Sequence, residues 1–245
     1  MPREILLETP DYTVALFAAE IPVRGEGFLV VRRCCAGALE SALSAGVERL
    51  RGLGASVITA ANQSEEEPFL GDLMFVGPYI LRHRHTLEIM ELPLGVRPPC
   101  PAAPPLSMEP LSTENADAFI ALNNSAMCDA PNATTYTRED TGAMLDGTSP
   151  LLGLVFRLDG TPVAMGELNR ASGDGPEIAA VAVAREYRRQ GVGRRAVSMM
   201  LELLAQLGFE RATLKVSTAN PTAKLLYLDM GFRTVGEYSK WYNIE

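Results

Sequence analysis

The chain has 245 residues, 47% of them hydrophobic, with a mean hydropathy of +0.06. That is enough for one large folded unit or two small ones. Its net charge of −8 and pI of about 5.0 argue against broad nucleic-acid binding, which needs basic surface. No apolar run approaches the roughly 20 residues of a membrane span. Met1-Pro2-Arg3-Glu4 has no signal-peptide character, so a cytoplasmic protein without a membrane partner is expected.

In the N-terminal half, strands are predicted at Tyr12 to Ala19 and Gly27 to Arg33. A helix follows, with Leu39, Leu43, Val47 and Leu50 on one face. Leu53-Gly54 then leads into a strand from Ala55 to Ala61. His83 and His85 fall on one face of a further strand, flanked by Arg82 and Arg84. With no third ligand in sight, a surface strand face is preferred there to a metal site. The four cysteines, Cys34, Cys35, Cys100 and Cys128, fit no zinc spacing and are read as reduced thiols. Seven prolines between Pro93 and Pro110 make a stiff, extended linker. The boundary is set there, giving units 1–104 and 105–245.

The second half opens with a helix over Thr113 to Met127. Leu151 to Leu158 is an apolar strand, and Asp159-Gly160 turns it into a second strand, Thr161 to Asn169. Another turn is expected at Ser172 to Pro176, and then a buried strand, Glu177 to Ala184. Ala196, Met199, Met200, Leu203, Leu204 and Leu207 mark the next helix, which Gly208 ends. Arg211 to Ser217 is a strand. Asn220 caps a short helix with Pro221 at its first position, and Gly231 ends it. Phe232 to Tyr242 supplies a last strand or hairpin. The first half echoes this order, with Leu70 to Phe75 loosely resembling Tyr227 to Phe232, as a worn internal copy would.

The chemistry concentrates at Arg188-Arg189-Gln190-Gly191-Val192-Gly193, between a strand and a helix. Free backbone N–H groups and the helix dipole make such a turn an anion site. The glycines allow close approach, and Arg188, Arg189 and Arg194 add charge for phosphates. Gly191 to Ala196 also fits the dinucleotide fingerprint formally, but too little chain follows to complete a doubly wound sheet.

Two motifs in order resemble the GNAT superfamily of acyl-CoA-dependent N-acetyltransferases over about residues 106–245. They are Arg188-x-x-Gly191-x-Gly193 and Asn220-x-x-Ala223-x-x-Leu226-Tyr227-x-x-x-Gly231-Phe232. The resemblance implies an α/β fold with a mixed, bent sheet and an acetyl-CoA site that needs no metal. Its pantetheine arm would lie in a splay between the strands Glu177 to Ala184 and Arg211 to Ser217. Val181, Ala182 and Val183 would line that arm. Arg188, Arg189, Gln190, Gly191, Val192, Gly193 and Arg194 would hold the pyrophosphate, with Asn220, Ala223 and Tyr227 beside the cofactor. It also implies Tyr227 as general acid, the Val183 N–H as oxyanion donor, and Glu177 as first and Glu167 as second candidate base.

The first half lacks these parts, having Arg32-Arg33-Cys34-Cys35-Ala36-Gly37 where the loop would fall. It is expected not to bind acyl-CoA. The function expected is transfer of an acetyl or short acyl group to a primary amine, a small molecule ahead of a peptide, by a monomer or homodimer. A non-catalytic acyl-CoA sensor is the alternative. Residues 123–146, with Asp129, Tyr136, Glu139 and Asp140, are where acceptor choice would lie, though they read equally as a solvated loop and helix face.

Overall fold

The computed structural model describes residues 4–95, 104–128, 130–169 and 175–245. The proline-rich stretch at 96–103, Cys100, Asp129 and most of the turn at 172–176 lie outside them. Two compact units emerge. One holds residues up to Leu87 with Ser217–Ala219 and Glu237–Glu245, the other Glu88–Val216 and Asn220–Gly236. The sequence reading set a single cut at 104/105. Contacts instead group the end of the chain with the first unit, because the last strand pairs there.

The first unit contains strands β1 (Glu4–Glu8), β2 (Tyr12–Phe17), β3 (Glu26–Cys34) and β4 (Val57–Asn62), with the four-residue helix α1 (Ile21–Arg24) and the longer α2 (Leu39–Gly52). Strands β1, β2 and β3 run antiparallel, and α2 crosses over to place β4 parallel to β3. Val47 and Leu50 of α2 pack on Leu16, Leu29 and Ile58 in the core of this unit. The helix stripe and both strand periods were legible. Strand β1 was not foreseen. Short strand β5 (Leu73–Val76) pairs antiparallel with β6 (Tyr79–Pro93).

The second unit holds β7 (Leu106–Pro110), α3 (Ala116–Ala126), α4 (Arg138–Leu145), β8 (Leu151–Leu158), β9 (Thr161–Asn169) and β10 (Glu177–Val183). It continues with α5 (Val192–Gln206), β11 (Arg211–Ser217), α6 (Pro221–Asp229) and the start of β12 (Arg233–Ile244). Its strand order is β11-β10-β9-β8-β7. Strands β8, β9 and β10 are antiparallel and β11 is parallel to β10. This is the order and sense of β1 to β4 with α2, so the internal repetition is real in topology.

Helix α5 buries Val192, Ala196, Val197, Met200, Leu201 and Leu204 on one side of this sheet. The stripe is rotated slightly from the expected one, leaving Leu207 exposed. Helix α3 covers the other side with Phe119 and Leu122 against Val155, Met165 and Ala182. Asn220 caps α6 as expected, its Oδ1 accepting from the Ala223 N–H at 3.1 Å. Asn220→Ala should therefore lower stability by about 1 kcal/mol, read as a reduced urea midpoint at unchanged m-value.

Two expectations in the first unit need correction. His83 and His85 do not form one surface face. His85 is 1% exposed and stacks on Trp241, while His83 meets the edge of Tyr242, the next residue along β12. The His83 ring also bonds Thr86 Oγ1 at 3.0 Å. A strand residue that touches its i+3 neighbour has lost the two-residue alternation, so the inferred common face does not exist. Burial pushes the His85 pKa down to about 4, which keeps it neutral at pH 7.

Secondly, Leu70 to Phe75 has no helix to match α6. Ser64 N–H bonds the Asn62 side chain at 2.8 Å, and Pro68 follows. Such local side-chain bonds and a proline compete with helix formation.

Candidate active site

Strand β10 was expected to be buried throughout. It is instead open along part of its length, with Ala179 exposed and Ala180, Val181 and Val183 only half-buried. The cause is the pairing. Strands β10 and β11 match only at Glu177–Thr213 and Ile178–Leu214, after which they part. On the other flank β10 stays paired with β9 to Val183, with a register shift between Ile178 and Ala180. The Ala184 N–H bonds Val163 O at 2.9 Å. Strand alternation then turns the Ala182 backbone toward β9 and the Val181 and Val183 backbones into the splay. Val183 O is taken by Arg188 Nε at 3.0 Å. The Val181 amide groups and the Val183 N–H remain for an extended partner bearing amides. Ala182, grouped with them from the sequence, offers no backbone group to that gap.

The loop after β10 ends in Gly191, whose φ of 81° suits glycine and starts α5. Arg189 also has a left-handed backbone, at φ 63°, an unfavourable conformation for a residue with a Cβ. The first amide of the helix with a carbonyl partner is Arg195 N–H, to Gly191 O at 3.0 Å. The N–H groups of Val192, Gly193 and Arg194 are therefore the free donors of a helix start. A Cβ on Gly193 would lie 3.5 Å from Val183 and 3.8 Å from Leu226, so the donors sit between the end of β10 and α6. This is a fit for a pyrophosphate.

The arginines divide their work differently from expectation. Arg188 donates to Val183 O and, at 2.8 Å, to Ala126 O at the end of α3. A cation satisfies the last carbonyls of a helix well, so Arg188 fastens the loop rather than meeting phosphate. Arg194 is ion-paired with Asp229 of α6. Gln190 donates to Glu186 O at 2.7 Å. Arg189 is exposed, which leaves its charge available to a ligand.

The two candidate bases sit in contrasting places. Glu177, 7% exposed, accepts Lys215 Nζ at 3.0 Å at the closed end of the β10–β11 pair. The ammonium engages one of its two carboxylate oxygens. Glu167 pairs across β9–β10 with Ala180, just past the last pair between β10 and β11. It is 3% exposed, and its Oε1 has no hydrogen-bond partner. Burial raises its pKa to about 7, against a lowering hydrogen bond from Tyr136, while the nearby Asp140 charge raises it further. A carboxyl that titrates near neutrality can take a proton and later give it up.

Tyr227 packs against the core beneath α5, with Phe232 in a T-shaped contact at 5.7 Å. Burial raises its pKa to about 12, so the phenol remains a donor. Ala223 and Leu226 pack beside it.

Residues 119–232 match the profile of the Acetyltransferase (GNAT) family. This stretch is a GNAT acetyltransferase domain. The fold matches extend over both halves of the chain. A functionally unknown conserved protein from Staphylococcus epidermidis is 13% identical with a TM-score of 0.64, covering 100% of this chain and 94% of its own. A GCN5-related N-acetyltransferase from Sphaerobacter thermophilus is 14% identical with a TM-score of 0.62, over 99% and 80%. One from Kribbella flavida is 15% identical with a TM-score of 0.56, over 98% and 88%. The N-terminal half is thus GNAT-like in fold as well. No curated protein matches the chain in sequence.

Against the GNAT domain, the first half differs where a ligand would enter. Strands β3 and β4 pair at six successive positions, from Glu26–Val57 to Val31–Asn62, so no splay opens. Before α2 the Gly37 N–H donates to Glu67 Oε1 at 2.5 Å. A carboxylate of the chain itself stands where a phosphate would.

The segment expected to select the acceptor is not a solvated loop throughout. Thr137, Arg138 and Glu139 are exposed, but Asp140 is buried and caps α4 with Thr137. Tyr136 is half-buried, its ring stacked on Phe119. Among the described residues, no group of three or more His, Cys, Asp or Glu is arranged to hold a metal.

Proposed function

We propose that the GNAT domain transfers an acetyl or short acyl group from acyl-CoA to a primary amine, a small molecule ahead of a peptide. The observation that carries this reading is the juxtaposition at Ala180. There the unpaired edge of β10 begins, and there the buried carboxyl with a free oxygen faces its neighbour across the strand pair. Val181 would pair with the amides of the pantetheine arm. The amides of Val192 to Arg194 and the Arg189 guanidinium would hold the pyrophosphate. Glu167 takes the proton that the amine must lose before attack. The Val183 N–H donates a hydrogen bond to the oxyanion that forms at the thioester carbon. Tyr227 hydrogen-bonds the departing sulfur. The protein is proposed to work in the cytoplasm.

A sensor that only bound acyl-CoA would have no use for a strained carboxyl at neutral pKa, which favours the enzyme. Thermal shift with acetyl-CoA, with NAD as comparator, tests the donor without knowledge of the acceptor. At 100 times its Kd the donor should add about 2.7 kcal/mol of stability, and NAD none. No shift with acetyl-CoA would overturn both readings. A shift without CoA release across a panel of primary amines would favour the sensor.

A further inference from the structure

We infer that Arg188 is a positioning residue for Val183, its guanidinium tying the residue that offers the oxyanion N–H to the end of α3. This rests on the reading of Val183 as the oxyanion donor. The observation is one planar group that spans two elements. Arg188 Nε donates to Val183 O at 3.0 Å, and Nη2 donates to Ala126 O at 2.8 Å. These two nitrogens lie on the same edge of the guanidinium, so both carbonyls are held at the fixed spacing of its fork.

Val183 needs a partner of this kind. It is the last residue of β10, well past the final β10–β11 pair at Ile178–Leu214. Its register neighbour on β9 is Ala164, but its own N–H and carbonyl face the splay, where no strand meets them. The next amide, Ala184 N–H, is fixed to Val163 O at 2.9 Å. Arg188 supplies the fixed contact on the open side. An oxyanion donor is effective only when its direction is set before the charge forms.

The far end of the tie is a firm mount. Phe119 and Leu122 seat α3 on the sheet. At its C-terminus the Met127 N–H bonds Asn123 O at 2.8 Å, and Cys128 Sγ donates to Ser125 O at 3.2 Å. Arg185 Nη2 in turn donates to Cys128 Sγ at 3.2 Å. Arg185 opens the single 3₁₀ turn Arg185–Tyr187 that leads from β10 to Arg188. Two arginines from one short segment therefore hold the same helix end. Tyr187, between them, packs against the hydrophobic clusters on both sides of the sheet.

Arg188→Lys and Arg188→Met separate the fork from the charge. Lysine keeps the charge but has no planar edge to span two carbonyls, and methionine keeps only the stem. Both should lower kcat per folded molecule by about 10- to 100-fold well below the melting temperature. Both should leave the acetyl-CoA Kd within about twofold of wild type. A phosphate contact would weaken acetyl-CoA in Arg188→Met and largely restore it in Arg188→Lys, and that pattern would overturn the inference. So would a lowered urea midpoint with unchanged kcat, the mark of a role in stability alone. A second readout needs no acceptor. In protein labelled with ¹⁵N-valine, with Val183→Ile to assign the resonance, relaxation dispersion should show microsecond-to-millisecond exchange at the Val183 amide in both variants and none in wild type. A quiet amide in the variants would sink the idea. Should Arg188→Met fail to fold, Arg188→Lys is read alone. If the wild type released CoA with no amine, the proposed function would fail, and the amide signal would still decide whether Arg188 holds Val183.

Discussion

Glu167→Gln should lower kcat by about 10²- to 10⁴-fold and make the folded protein more stable above pH 7. Both effects come from the same burial. Glutamine matches the side chain in shape but cannot accept a proton from an ammonium. The acid limb near pH 7 should vanish from the residual activity, because that limb is the titration of this carboxyl. The stability change follows from linkage. Burial lifts the pKa from 4.5 to about 7 in the folded chain.

Below pH 4.5 the group is neutral in both folded and unfolded states, and the substitution should change little. Between 4.5 and 7 the unfolded chain ionises first, so the wild type loses stability as pH rises. Above 7 the loss is complete, at about 3 kcal/mol for a shift of this size. The variant has no such loss. Urea denaturation at pH 4.5 and pH 8 should therefore diverge between the two proteins only at pH 8. Equal midpoints at pH 8 would mean that the carboxyl is not strained. Unchanged kcat would remove it from the reaction.

The sequence made the frame of this site legible but not its division of labour. Strand β8, the Asp159-Gly160 turn, strand β9 and α6 lie where their turn and cap residues put them, because those signals act within a few residues. The loop at Gly191 was legible for the same reason: a positive φ at a helix start is a local demand. What each charged side chain does there is set laterally. Lys215 is far from Glu177 along the chain and comes to its carboxylate only through the parallel pairing of β10 and β11. Arg188 finds Ala126 only because α3 ends beside the loop.

The sequence carries one signal for Glu167. It is a lone acid on the inner face of the apolar strand Thr161–Asn169, in step with Met165. A charge at such a position is costly unless it is used. The worn first copy was legible from its missing loop, but its closed strand pair was not, since that depends on six backbone pairs forming where the second copy forms two.

Tyr227→Phe should lower kcat by about 10²-fold while leaving acetyl-CoA affinity within about twofold. The size follows from the pKa. Burial raises the phenol to about 12, whereas a free thiol sits near 8.5. Complete transfer of the proton to the leaving thiolate would be uphill by about 5 kcal/mol. Tyr227 therefore acts as a hydrogen-bond donor that strengthens as charge grows on sulfur, and solvent completes the protonation. Loss of one such donor costs what loss of an oxyanion-hole donor costs, not the larger factor of a missing general acid. Phenylalanine keeps the T-shaped contact with Phe232, so the thermal midpoint should not fall. The acid limb should also stay in place, because it belongs to Glu167. Single-turnover kinetics with saturating acetyl-CoA would measure the chemical step directly. An unchanged rate there would exclude Tyr227 from it, and a weakened acetyl-CoA affinity that accounted for the whole loss would make it a binding residue instead.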